Sequence, residues 1–247
     1  SLNCCTSGVA SVAQGYLDEL LLVFEANMSG AYPKEATLEM VLKRIDTEPR
    51  GSGPILLVEP ADNIGGGTPG DGTGLLSPLL DSGRKNIIAI LNDPKAASQC
   101  HTLKVGDQVS LLIGAKLDNH HGAPIKFDGM IRHLSDGQFD LENKNSHLAS
   151  MVGIHIDMGL CAVLRNEQVT ILLTSRKTPP MDLGQLHSQG IRPENADYVV
   201  VKAAVSHKDA YDPIAAASYN VESVGLCTSN LKTLPYQKLV GKQLSGD

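Results

Sequence analysis

The chain of 247 residues contains no tryptophan, and aromatic residues make up 4% of it. This composition argues against a surface that stacks bases or encloses a cation in aromatic rings. Lysine and arginine form no cluster and the formal net charge is -6, so we expect no nucleic-acid partner. No apolar run approaches the roughly 18 residues of a membrane span, and no export signal is visible. We therefore expect no membrane association and a cytoplasmic location.

Paired cysteine spacings are also missing. The five cysteines include the adjacent Cys4 and Cys5, but none forms a Cys-x-x-Cys pair. An odd number of cysteines does not favour a disulfide framework, and cysteine metal sites commonly use Cys-x-x-Cys pairs. We interpret the cysteines as reduced thiols of a cytosolic protein.

What the sequence does contain is a glycine-rich loop, residues 61–73, directly after the apolar run 55–58. It holds five glycines, which permit positive φ angles and close approach to another surface. Asp62, Asn63, Thr68, Asp71 and Thr73 add short polar groups at fixed places. A flexible Gly/Ser linker has no such acids and does not lie between a buried strand and a Leu-rich helix. The loop is therefore predicted to form a site.

Around this loop the pattern predicts helices and parallel strands. Apolar residues at helical spacing indicate a helix from Val9 to Phe24, whose stripe must be buried, and a second helix between Pro33 and Pro49. Residues 55–58 and 86–91 read as buried strands, and a helix capped by Asp71 or Thr73 lies between them. Asp93-Pro94 opens a further helix. This order favours parallel strands with right-handed crossovers.

Residues 105–174 change character, because short alternating strands with tight turns replace the helices. Asp136-Gly137 has the signature of a hairpin leading into 139–141. We expect an antiparallel meander or small barrel here, inserted between two α/β pieces. A short helix from Asp182 to Gly190 and a strand at 198–202 follow. A helix is then predicted at 207–217, with a Ser206–Asp209 capping box and a break or restart at Asp212-Pro213.

The predicted fold class is thus α/β, or mixed α+β, with α/β sheet layers, an antiparallel insertion and a preceding two-helix segment. We divide the chain at residue 50, into a helical segment 1–50 and a domain 51–247.

Three kinds of chemistry fit the loop poorly. A P-loop needs Lys then Ser or Thr after its last glycine, whereas Gly70 is followed by Asp71, and the dinucleotide spacing is not met. No helical His-x-x-x-His pair indicates a metal site, although His155 and Asp157 would share a strand face. There is no Gly-x-Ser-x-Gly elbow. Lys202 and His207, between a strand end and a helix start, are placed where α/β sheets position ligand groups.

Residues 61–73 resemble the signature of the C-terminal domain of the microcystinase C (MlrC-type) family, usually spelled with Ala-Asp-Asn-Pro-Gly-Gly-Gly. In this sequence Ile64 stands in place of that proline. Further matching segments follow in the family's order over about residues 55–240: 93–94, 114–124, 134–137, 158–159, 173–176, 190–193, 199–202 and 234–236.

The resemblance implies a zinc-dependent metallopeptidase-like hydrolase, whose named members cleave linearised microcystin peptides. In that family the metal ligands lie in an N-terminal domain, of which this chain has only something like the last helices, residues 9–46. We therefore expect zinc in the full-length member, no metal and no activity in this chain alone, and the missing N-terminal domain as a partner. The substrate would be a peptide or small amide.

Within that hypothesis each site residue has a role. Asp62 and Asp71 are predicted to be catalytic. The predicted substrate-binding residues are Asn63, Gly65, Gly66, Gly67, Thr73, His121, Lys202 and His207. The rival hypothesis is a non-catalytic domain that binds a small ligand or a partner. Apolar faces left uncovered leave homodimer formation open.

Overall fold

The computed structural model describes residues 8–30, 33–49 and 51–231, together with Cys5, Leu234 and Tyr236. The described residues belong to two compact units. The first lies within residues 1–34 and 229–247, and the second is residues 35–228. The boundary predicted at residue 50 stays a prediction.

In the first unit, the predicted helix is present as α1, Ala10–Asn27, followed by a 3₁₀ turn, Met28–Gly30. The expectation that its apolar stripe is buried is wrong, because none of its residues is buried. Leu22 and Val23 are 67% and 61% exposed. Its apolar residues lie around much of the circumference rather than along one stripe, so a single neighbouring surface would cover only part of them.

The second unit begins with α2, Leu38–Thr47, as predicted. The Thr37 side chain caps it by accepting the Met40 N–H, and the helix stops before Pro49. Val41 is buried, and Leu38, Leu42 and Ile45 pack against the same core. This amphipathic face holds α2 on the sheet.

One sheet of eight strands organises the second unit, in the order β10-β1-β9-β2-β8-β7-β4-β3. The strands from β10 to β8 are parallel, and β7, β4 and β3 continue antiparallel from β8. A separate ribbon pairs β5 with β6. The strands are β1 Ile55–Val58, β2 Ile87–Asn92, β3 Gln108–Ile113, β4 Ile125–Ser135, β5 Gln138–Asp140, β6 His155–Asp157, β7 Cys161–Arg165, β8 Val169–Thr174, β9 Tyr198–Val201 and β10 Ala217–Asn220.

Two apolar layers cover the faces of this sheet. Leu57, Leu91 and Ile171 lie on one face with Leu79 of α3, while Leu56 and Leu172 lie on the other with Leu186 of α6 and Tyr211 of α7. Burial on both faces explains why β1 and β9 read as unbroken apolar runs. The remaining helices are α3 Leu76–Asp81, α4 Pro94–Cys100, α5 His147–Val152, α6 Gly184–His187 and α7 Lys208–Tyr211.

The mixed α/β class is confirmed, and the antiparallel block is a meander that extends the parallel sheet without closing into a barrel. The predicted hairpin at Asp136-Gly137 is wrong. Gly137 does turn the chain with a positive φ, but β4 pairs with β3 and β7, and β5 pairs with β6. The Asp-Gly pair indicates correctly that the chain turns here, but it does not determine which strands pair.

Two predicted helix caps are also wrong. No side chain caps α3 from the N-cap position; the amide of Leu75, the residue just before the helix, donates to the Glu59 carboxylate. The Ser206–Asp209 capping box is absent, because His207 precedes α7 in helical geometry without a side-chain cap. The helix predicted over 207–217 breaks at Asp212-Pro213 as expected: α7 ends at Tyr211 and a 3₁₀ turn, Asp212–Ile214, follows. Its predicted last residue, Ala217, instead begins the edge strand β10. None of the helices in the described part of the chain combines the length and the apolar character that a membrane span requires.

Candidate functional site

The glycine-rich loop leaves the sheet at the carboxyl end of β1, beside the carboxyl end of its parallel neighbour β9. Each strand is followed at once by a charged residue, Glu59 after β1 and Lys202 after β9. Asp62 comes from the short 3₁₀ turn that starts the loop, Pro60–Asp62. Because open α/β sheets bind ligands beyond the carboxyl ends of their strands, this edge is the candidate functional site.

Lys202 is the centre of a buried cluster. Its Nζ lies 2.7 Å from Glu59 Oε2, 2.9 Å from Asp62 Oδ2 and 2.6 Å from the Gly72 carbonyl oxygen. Three acceptors match the three donors of an ammonium group. Lys202 is 3% exposed, and both carboxylates are 0% exposed. The cluster ties the first and last parts of the loop to the ends of two strands.

Asp62 and Lys202 stabilise each other's charged forms. Burial opposes ionisation of Asp62, but the Lys202 charge and hydrogen bonds from Lys202, Gly70 and Gly72 lower its pKa below the usual value. Burial likewise opposes the charge on Lys202, and the two carboxylates outweigh it and raise its pKa. Asp62 accepts the Gly70 N–H on Oδ1 at 2.9 Å and the Gly72 N–H on Oδ2 at 2.7 Å. Asp62 is therefore a charged anchor of the loop.

Above this anchor, Gly65, Gly66 and Gly67 are exposed. Their amides are already used within the loop. Gly65 donates to Asn63 Oδ1, Gly66 to the Asn63 carbonyl and Gly67 to the Ile64 carbonyl. Lys177 Nζ reaches the Thr68 carbonyl oxygen, at 3.2 Å. The loop therefore presents a closely folded backbone surface, with the Cys227 sulfur beside Gly66, rather than a row of outward-pointing N–H groups.

The far end of the loop docks on a second loop, residues 114–124. Asp71 Oδ2 accepts the Lys116 and Leu117 amides at 2.7 and 3.1 Å, while its Oδ1 is buried without a hydrogen-bond partner. Thr73 Oγ1 donates to the Ala123 carbonyl at 2.7 Å. The loops approach so closely that a Cβ at Gly122 would lie 2.6 Å from Thr73 Oγ1. Asp71 and Thr73 thus hold the two loops together.

His121 lies on the same second loop and is 1% exposed. Its Nδ1 lies 2.8 Å from Asp118 Oδ2, and the Leu226 amide lies 3.2 Å from its Nε2. An amide N–H is only a donor, so Nε2 accepts and the ring proton sits on Nδ1, facing Asp118. Nε2 lies 3.9 Å from Asp62 Oδ1. His121 therefore borders the Lys202 cluster with its ring oriented by Asp118 and the Leu226 amide.

His207 differs from His121 in the hydrogen bonding of its ring. It is 1% exposed, and neither ring nitrogen has a hydrogen-bond partner. Burial lowers its pKa, and the nearby Lys208 adds to this effect while Asp212 opposes it. The structure thus brings Asp62, His121 and Lys202 together and sets Asp71 and Thr73 at the docked side. No hydrogen bond joins the His207 ring to either group.

A zinc ion does not fit the residues of this edge. Among the described parts of the chain, no group of three or more His, Cys, Asp or Glu side chains could hold a metal ion. Between Glu59 and Asp62, where a cation would be attracted, the ammonium group of Lys202 already lies. The carboxylates that would attract a cation are therefore already paired with a side chain of the protein itself.

Comparison with known proteins identifies the family. The family model described as MlrC C-terminus matches residues 57–238, which include the loop and the cluster. The chain belongs to the MlrC C-terminus family. It is 26% identical to Microcystinase C of Sphingomonas sp over 152 residues, which are 61% of this chain and 28% of that protein.

The fold of this MlrC C-terminus chain is also found in a solved structure, a "putative metallopeptidase" from Mesorhizobium sp. BNC1. The TM-score is 0.74 at 20% identity, over 94% of this chain and 44% of the other. The chain thus spans less than half the length of either protein.

Sequence reasoning missed several residues of the site in this family member. Glu59 completes the Lys202 cluster, and Asp118 orients His121. Asp93 was identified only as a helix cap, which it is, through the Ala96 amide at 3.0 Å. Its second oxygen accepts the Gly114 amide and lies 2.6 Å from Lys116 Nζ. Glu59 had a usable signal, because it is the first charged residue after a buried strand.

Proposed function

We propose that this chain is the C-terminal domain of a zinc-dependent metallopeptidase-type hydrolase, and that its glycine-rich loop forms one wall of the active site. The family membership and the matched segment, residues 57–238, support the reaction class. The loop's position beyond the carboxyl ends of β1 and β9 supports its place at the site. A peptide or small amide is the proposed substrate.

The observation that carries the proposal is the buried Lys202 cluster beneath an exposed triglycine surface. Asp62 and Lys202 fix both ends of the loop with charge-assisted hydrogen bonds of 2.6 to 2.9 Å. Gly65–67 are held above this base with no side chains, so an extended substrate backbone can approach closely. A wall that is fixed before the substrate arrives lowers the entropic cost of orienting an amide.

Asp62 and Asp71 were predicted to be catalytic, and we keep a catalytic role as a proposal for Asp71 only. Both oxygens of Asp62 are engaged with Lys202, Gly70 and Gly72, which suits a positioning residue. Asp71 keeps Oδ1 without a partner. Of the four carboxylate oxygens in this pair, it is the one that is buried with no hydrogen-bond partner among the described residues.

Zinc enters the proposal only through the rest of the natural protein. The described residues offer no ligand set for it, so we place the metal on the N-terminal domain of the full-length protein, which this domain would face. The metal would supply electrophilic activation there, and this chain would bind and orient the amide. The chain by itself is then expected to show no peptidase turnover when zinc is added.

The decisive test adds one methyl group to the exposed surface in the full-length natural protein. A Cβ at Gly65 would meet only Asn63 Oδ1, at 3.3 Å, and φ is not positive there, so Gly65→Ala should fold. Gly51→Ala is the matched control, because its Cβ makes only ordinary contacts, from 3.8 Å, before the amino end of β1. Hydrolysis of a linear microcystin-derived peptide would be followed by chromatography.

We expect Gly65→Ala to lower kcat/KM by about tenfold or more, since small misplacements at a reacting centre cost that much. Gly51→Ala should leave it unchanged. Equal activity of both variants would remove the loop from the active site. A full-length protein that binds the peptide without hydrolysing it would favour the rival, a non-catalytic ligand-binding domain.

A further inference from the structure

A second feature lies near the amino ends of β2 and β8, whereas the glycine-rich loop lies beyond the carboxyl ends of the parallel strands. Here a cavity of about 740 Å³ opens between the sheet and the segment that follows α6. Three of its lining residues are arginines, Arg132, Arg165 and Arg192, and we call this cavity the arginine groove. Its volume falls in the range of small-molecule sites.

A β-bulge places one of these arginines. The register between β4 and β7 shifts between Ile131 and His133, so Arg132 has no partner on β7. Bulges turn a side chain away from strict alternation. Ile131 is buried in the core on one face, whereas Arg132 and His133 both line the groove on the other. The irregularity thus adds a cationic side chain to this face.

Neighbouring strands supply the floor, and a loop supplies the facing wall. Arg165 pairs with Thr170 of β8, and both line the groove with the buried Ile88 of β2. Arg192 comes from the segment after α6, between Ile191 and the 3₁₀ turn Pro193–Asn195. Arginines therefore line the groove on both the sheet and its cover.

The groove arginines differ from the other described arginines in having no carboxylate partner. Arg44, Arg84 and Arg176 each form an ion pair, with Glu48, Asp46 and Asp157. None of the three groove arginines forms an ion pair with a described residue. Glu142 and Glu194 both bond His187, which lines the groove, and Glu194 keeps its Oε2 buried without a hydrogen-bond partner.

Acids beside the groove do not neutralise it either. Asp128 and Glu167 line an adjoining depression together with Arg132 and Arg165. Asp128 is paired with Lys126, at 3.3 Å, and neither acid pairs with these arginines. Three guanidinium groups without an ion-pair partner in the described part of the chain, on a protein whose net charge is -6, are a local concentration of donors that match planar oxyanions. Arg132 makes one weak contact, from Nη1 to the Met130 sulfur at 3.6 Å.

We propose that the arginine groove binds a small ligand with two or more carboxylate or phosphate groups. Each guanidinium group offers a paired donor edge that such oxyanions accept bidentately. The acidic character of the whole chain disfavours a nucleic acid, which needs an extended basic surface. The groove lies near strand amino ends and the glycine-rich loop beyond strand carboxyl ends, so this binding does not depend on the proposed hydrolase function.

Isothermal titration calorimetry with the whole chain tests the proposal, with inorganic pyrophosphate as the phosphate probe and citrate as the carboxylate probe. The three variants Arg132→Ala, Arg165→Ala and Arg192→Ala change exposed side chains and should fold, which thermal melting verifies. Arg44→Ala is the matched control, because Arg44 lies on α2 outside the groove. Arg165→Lys keeps the charge and removes the fork.

We expect at least one probe to bind, each groove Arg→Ala variant to weaken it about tenfold or more, and Arg44→Ala to leave it unchanged. Arg165→Lys should lie between wild type and Arg165→Ala. The stronger probe identifies which oxyanion the groove prefers. Absence of binding by both probes at millimolar concentration, or binding that the three variants leave intact, would overturn the proposal.

Discussion

Lys202 Nζ lies 2.7 Å from Glu59 Oε2, across the ends of two adjacent parallel strands and out of contact with water. The same nitrogen reaches Asp62 and the Gly72 carbonyl, so one ammonium group holds the glycine-rich loop on the sheet. Glu59 in turn accepts the Leu75 amide next to α3. Strand, loop and helix start are thus joined through a single charged network.

Lys202→Met should be strongly destabilising, because it leaves two buried carboxylates without their cation. Removing one partner of a buried ion pair costs about 3–5 kcal/mol. Urea unfolding would measure the change, with Lys208→Met as the control, since Lys208 is an exposed lysine on α7. A loss for Lys202→Met no larger than that of the control would show that the network does not hold the loop.

Acid should weaken the protein through Asp62. Its pKa is lowered in the folded chain, while the unfolded value is about 3.9. The stabilisation is therefore complete above the unfolded pKa and is lost as pH falls through that value toward the folded pKa. Unfolding free energies at a series of pH values between about 6 and 3 should fall less steeply for Asp62→Asn than for wild type.

The control for this comparison is Asp209→Asn, on an exposed position of α7. It should follow the wild-type pH dependence. If Asp62→Asn follows it too, Asp62 contributes nothing to acid sensitivity and its charge is not what anchors the loop.

Packing of the two loops can be tested at Gly122. Its φ is +104°, and a Cβ would lie 2.6 Å from Thr73 Oγ1 and 3.0 Å from the Gly74 nitrogen. Gly83 has a similar positive φ, of 76°, with nothing within 4 Å of its Cβ position. Gly83→Ala should therefore show only the backbone cost, about 1–2 kcal/mol.

Gly122→Ala should lose a further amount of roughly 1–3 kcal/mol from overpacking against Thr73. Chemical denaturation of the two variants separates the terms. Equal losses would mean that the loops can move apart without cost, and that the docked arrangement is not fixed.

Local pattern was enough to predict most of the elements that position the site. β1 was predicted with its observed bounds, and β2 within one residue, because strands buried on both faces are unbroken apolar runs between turn residues. Asp93-Pro94 opens α4 as expected. These patterns involve only neighbouring residues in the chain, so a single sequence is enough to detect them.

Long-range pairing was beyond such signals. Glu59 and Lys202 are 143 residues apart, and nothing local indicates that β1 and β9 are neighbours. The hairpin failed for the same reason, since Gly137 makes a turn whose strands pair elsewhere. The edge strand β10 was missed because Ala217–Asn220 is only partly apolar and is preceded by helix-like residues.

His207 offers the last test, since it is buried with both ring nitrogens unpartnered. Burial lowers its pKa in the folded chain, and the unfolded value is about 6.5. The unfolded chain therefore takes up the proton first, so stability is present above pH ~6.5 and falls as pH drops from there through the folded pKa. Lys208 and Asp212 act on the ring in opposite directions and do not reverse this sign.

Replacing the ring with an apolar side chain should remove that pH dependence. His207→Leu no longer buries an unsatisfied polar group, so at pH ~7.5 its stability should lie close to wild type. Between about pH 7 and 5 it should lose less stability than wild type, measured by urea unfolding. NMR titration of the His207 ring in the wild-type chain provides an independent reading. A ring pKa at or above 6.5 would contradict the buried, neutral state on which this expectation rests.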